Sequence, residues 1–129
     1  MQEARPLGPA RIYFLAYGLG SAGMAIADVG FGAAVAAQTG WGHAQGWMSE
    51  MACFDVLIAF LCLRALLEPA GSRVPAVLAS GLALASALLA GHNLVAWSAT
   101  SAPAHLQGGV LHVVACLAGL AVARRGVEG

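Results

Sequence analysis

The chain has 129 residues, of which 60% are hydrophobic and only 9% charged, and its mean hydropathy is +0.78. A water-soluble domain carries roughly a quarter charged residues, so this chain cannot clothe a surface that faces water. Its formal net charge of zero gives it no electrostatic hold on nucleic acid, which is excluded as a partner. Every positive charge is an arginine. Together with the abundance of Ala, Leu, Val and Gly, this fits a bacterial chain of high-GC coding bias, with the bilayer as its principal partner.

A transmembrane helix needs about 20 mostly apolar residues to cross ~30 Å of hydrocarbon. Four segments meet that length, at about 11–37, 46–67, 74–97 and 104–123. They predict a single all-α transmembrane domain over residues 1–129. The first segment is too long for the apolar region of a signal peptide, about 7–15 residues, and it carries Asp28. The breaks QTGWGHAQG, EPAGSRVP and WSATSAPAH are short and rich in turn formers. Such connections make neighbouring helices antiparallel, the pattern of an up-down four-helix bundle.

Arg5 and Arg11 precede the first segment, Arg64 and Arg73 flank the second break, and Arg124 and Arg125 follow the fourth segment. The positive-inside rule puts all six, and hence both termini, on the cytoplasmic side of a bacterial inner membrane. Trp41, Trp47 and Trp97 then lie near the outer interface. Rows of small residues, Ala79–Ala83–Ala87–Gly91 and Ala115–Gly119–Ala123, suit close helix packing within one chain, in a homodimer or in a larger membrane complex. Cys53, Cys62 and Cys116 form no CxxC pair and read as small apolar packing residues.

Asp28, Glu50, Asp55, His92 and His112 interrupt the apolar segments. An ionisable residue inside the membrane is costly and therefore a functional candidate. Counting inward from the outer ends at ~1.5 Å per residue, all five fall in one layer roughly 6–14 Å deep. Glu50 and Asp55 are five residues apart, about 140° around a helix, so both cannot point at the bundle axis. Histidine with carboxylate is the donor set of zinc, iron and copper sites, and inward-facing Glu and His from four helices build di-iron centres, although the usual Glu-x-x-His spacing is missing here. His43, His105, Met48, Met51 and Cys53 add softer donors at the outer mouth, which would suit copper. A haem held between His92 and His112 is a further arrangement, with no other haem signal in the sequence.

The expectation is an outward-facing transition-metal site on Glu50, Asp55, His92 and His112, with Asp28 beside or among the ligands, serving metal handling, sensing or an accessory role. Two other readings use the same residues. One is an enzyme acting on a lipophilic substrate by acid–base chemistry; the other is a structural subunit whose polar groups satisfy one another.

SEMACFDVLIAFLCLRALLEP and LHVVACLAGL resemble segments of small actinobacterial four-helix membrane proteins of uncharacterised function. Glu50, Asp55 and His112 are the matching positions, and His92 is a looser match. The resemblance implies a fold and a shared polar layer, and no activity.

Overall fold

The computed structural model describes residues 8–39, 45–69 and 71–127. They form four helices: α1 (Pro9–Thr39), α2 (Gln45–Leu67), α3 (Val74–Thr100) and α4 (Pro103–Val127). Helices α1 and α4 open on proline and α3 carries Pro75 at its second position, where the missing N–H costs nothing and the fixed φ suits the first turn. Helix α3 closes on Ser101, whose left-handed φ of 56° lets its N–H reach the Trp97 carbonyl at 2.7 Å.

All four helices lie where hydropathy puts them, and all run further than their apolar stretches, α2 by a single residue. The extension of α3 has a local cause. Ser98 and Thr100 turn their hydroxyls back onto the carbonyls of Val95 and Ala96, at 2.7 and 2.9 Å, so polar residues continue the last turn instead of breaking it. Helix α1 is not straight. Phe31, between Gly30 and Gly32, has φ −135° and ψ 22°, a break of the kind that glycine permits inside a helix.

Packing is most extensive within two hairpins, α1 with α2 and α3 with α4. Small residues set both approaches. A Cβ on Gly18 would lie 3.0 Å from the Cys62 Cβ. One on Gly119 would lie 2.7 Å from the Tyr13 hydroxyl and 3.0 Å from the Ala79 carbonyl oxygen. Close backbone approach is how helices associate in lipid. The two hairpins join through a core of Tyr13, Phe14, Cys62, Ala65, Ala79, Leu82, Val122 and Ala123, to which all four helices contribute. This core lies toward the end of the molecule where Arg11, Glu68 and Arg125 line a common cavity, here called the arginine end.

The outside is apolar. Val95, Leu111 and Val77 are 70%, 69% and 69% exposed, a surface no soluble monomer presents so extensively. Helices α1, α3 and α4 are long and apolar enough to cross a membrane. Helix α2, which carries Glu50, Asp55 and Arg64, does not join them by that measure, so three of the four expected spans stand on composition and length.

Candidate functional site

Helix α1 presents Tyr17, Ser21 and Asp28 at spacings of four and seven residues, which is one face of a helix. Ser21 and Asp28 are buried, at 7% and 5% exposure. Asp55 on α2 meets this face: the Ser21 hydroxyl donates to its carboxylate, and Asp28 and Tyr17 lie close enough to interact with it electrostatically. From the other side Tyr17 shares a hydrogen bond of 2.9 Å with Ser86 on α3. Ser86 is wholly buried. Three helices thus bring polar groups to one region: Tyr17 bonds Ser86, Ser21 bonds Asp55, and Asp28 and Tyr17 lie within electrostatic range of Asp55.

Asp28 and Asp55 lie within electrostatic range of one another, and among the described residues the ion pair is that of Arg64 with Glu68 at 3.5 Å. Two carboxyls removed from water are relieved either by protonation or by a cation held near them, because desolvation and mutual repulsion both act against the double charge. The donors within reach are carboxylate and hydroxyl oxygens.

Of the five expected residues, Asp28 and Asp55 lie within electrostatic range of one another. Glu50 is exposed, on a different side of α2 from Asp55, as the angle between them requires. His92 is exposed on α3 and His112 is half-buried on α4. No group of three or more His, Cys, Asp or Glu gathers at metal-binding distance among the described residues. His43 and Trp41 lie outside the described residues. Cys62 is buried in the core while Cys53 is exposed, so only the first packs as the apolar reading of the cysteines expects.

Ser21, Tyr17 and Ser86 have no counterpart in the sequence reading, because hydroxyls are common in apolar helices; the signal that marks Ser21 and Tyr17 is the face they share with Asp28. His105, expected as a donor at the outer mouth, is placed differently. It is buried at 4% exposure and lies 3.4 Å from the Asn93 side-chain oxygen, while the Asn93 amide donates to the Leu89 carbonyl at 2.9 Å. This pair ties α3 to α4 at the end away from the arginines.

A further buried polar atom is the Tyr13 hydroxyl, which has no hydrogen-bond partner among the described residues. Its ring packs edge-on against Phe14 at 5.2 Å and tilted against Tyr17 at 5.7 Å. It sits between the polar region and the core.

No protein-family model matches the chain, and neither a curated protein nor a solved structure is similar to it.

Proposed function

We propose that this is a small membrane protein that binds a divalent metal cation between Asp28 and Asp55. The observation that carries the reading is that carboxylates from α1 and α2 lie within electrostatic range of one another, with the Ser21 hydroxyl on Asp55 and, among the described residues, no ion pair to either. An all-oxygen donor set favours a hard cation such as Mn²⁺ over copper. Water completes the coordination that two carboxylates leave open.

The same reading makes the chain an up-down bundle of four crossings in a bacterial inner membrane. The second crossing is supported by the outer face of α2, where Phe54, Val56, Phe60 and Leu63 are each more than half exposed and need lipid to cover them. The gathering of Arg11, Arg73 and Arg125 at or near one end supports a cytoplasmic location for that end. The carboxylate pair then opens toward the outside, where the protein would take up or sense its ion.

The test is elemental analysis of detergent-purified protein, stripped with chelator and dialysed against Mn²⁺, Zn²⁺ or Cu²⁺. Wild type is expected to retain a stoichiometric amount of Mn²⁺, Asp28→Asn with Asp55→Asn to lose it, and His92→Ala with His112→Ala to keep it. A metal-free wild type, or an aspartate variant that binds as well as wild type, overturns the proposal. Loss in the histidine variant alone moves the site onto His92 and His112.

A further inference from the structure

The arginine end carries two adjoining cavities, of which the second reaches the proposed cation site only at Tyr17. The first, about 520 Å³, opens among all four helices and is lined by Arg11, Arg125, Glu68 and Ser72 together with the start of α1. The second is a groove of about 660 Å³ between α1 and α4, walled by Ile12, Ala16, Leu111, Val114 and Ala118. The two share Pro9, Val122 and Arg125. Both walls are mostly apolar, the first also carries Arg11, Glu68 and Ser72, and Arg125 stands at their junction.

The charge in the first cavity is available. Glu68 is its acidic residue, but it is engaged twice, by Arg64 at 3.5 Å and by the Ser72 hydroxyl at 3.0 Å. Arg11 and Arg125 have no ion-pair partner among the described residues. The groove has matching dimensions. From Arg125 to Leu111 it follows α4 for about 21 Å, at ~1.5 Å per residue, and one leaflet of hydrocarbon is roughly 15 Å deep. A molecule that puts a negative group against two arginines and an acyl chain into an apolar groove beside them is a phospholipid with net negative charge.

We infer that the arginine end of the bundle holds an anionic phospholipid, its phosphate between Arg11 and Arg125 and one acyl chain in the groove between α1 and α4. Basic pockets between transmembrane helices hold lipid headgroups in this manner. The lipid closes a seam where α1 and α4 pack much less extensively than either does within its own hairpin. It therefore serves as a wedge joining the two hairpins.

Native mass spectrometry of the full chain in mild detergent tests this, with dioleoyl phosphatidylglycerol, dioleoyl phosphatidylcholine and inorganic phosphate offered separately. Wild type is expected to retain phosphatidylglycerol in preference to phosphatidylcholine. Arg11→Gln with Arg125→Gln should weaken that retention roughly thirtyfold, from the attraction of two arginines near the headgroup. Ala118→Trp, which fills the groove and leaves both arginines in place, should weaken it as well. Equal retention of the two lipids overturns the inference, as does an arginine variant that retains phosphatidylglycerol like wild type. Arginine-dependent binding of inorganic phosphate without lipid retention also overturns it, because the site would then serve a free anion.

Discussion

Tyr13 and Gly119 occupy one spot from two helices. The tyrosine hydroxyl is buried without a partner among the described residues, and it lies where a side chain on Gly119 would begin. A buried, unpaired hydroxyl costs about 1–3 kcal/mol. Tyr13→Phe is therefore expected to leave the thermal midpoint in detergent unchanged or raise it. Gly119→Ala should lower it, by an amount equivalent to about 1–3 kcal/mol for overpacking. That clash is shared by the Tyr13 oxygen at 2.7 Å, the Ala79 carbonyl oxygen at 3.0 Å and the Ala83 Cβ at 3.1 Å. The double variant should accordingly recover part of the loss, and strict additivity of the two midpoint shifts would show that the residues do not meet. The sequence places Gly119 in a small-residue row but says nothing of which neighbour needs the space, because that depends on a tyrosine about a hundred positions away.

At the scale of the helix, the hydrogen bond between Tyr17 and Ser86 links the α1–α2 hairpin to the α3–α4 hairpin. Bonds of this type in a membrane bundle contribute ~0.6 kcal/mol on average and up to about 1.7. Tyr17→Phe and Ser86→Ala should each destabilise by that order, and the pair together by little more than one alone, as read from denaturation in mixed micelles. The helices themselves were legible in the sequence, since long apolar runs broken by proline and glycine admit few other structures. Their ends were less so: apolar length stops at Trp97, whereas α3 runs on to Thr100 through hydroxyls that bond to its own backbone. The candidate site was legible by half. Depth singled out Asp28 and Asp55 together with Glu50, His92 and His112, but depth is one coordinate. The angle around each helix decides which residues meet, and that angle is fixed by packing at Gly18 and Gly119. A carboxylate five residues from another could only be told to point elsewhere.

Over the whole molecule, α2 carries Glu50, Asp55 and Arg64, and its crossing is the one that the two ends report. The number of crossings fixes the parity of the ends. With four, fluorescent-protein fusions at the N- and C-termini should both fluoresce and both resist external protease in intact bacterial cells; with three, one end would be dark and cleavable. The break at Phe31 has a bearing on the same scale. Helix α1 is 31 residues long, about 46 Å at ~1.5 Å per residue, well beyond the ~30 Å of hydrocarbon. Left straight, it would have to tilt or distort the lipid around it. The portion from Pro9 to Gly30, about 33 Å, matches the bilayer alone, and the residues past Phe31 can lie along the interface. Hydrophobic mismatch is thereby absorbed at a joint three residues beyond Asp28. Under the proposed cation site, Asp28 and Asp55 would keep their depth when the acyl chains of the host membrane lengthen or shorten, and occupancy would follow the ion and not the thickness of the bilayer.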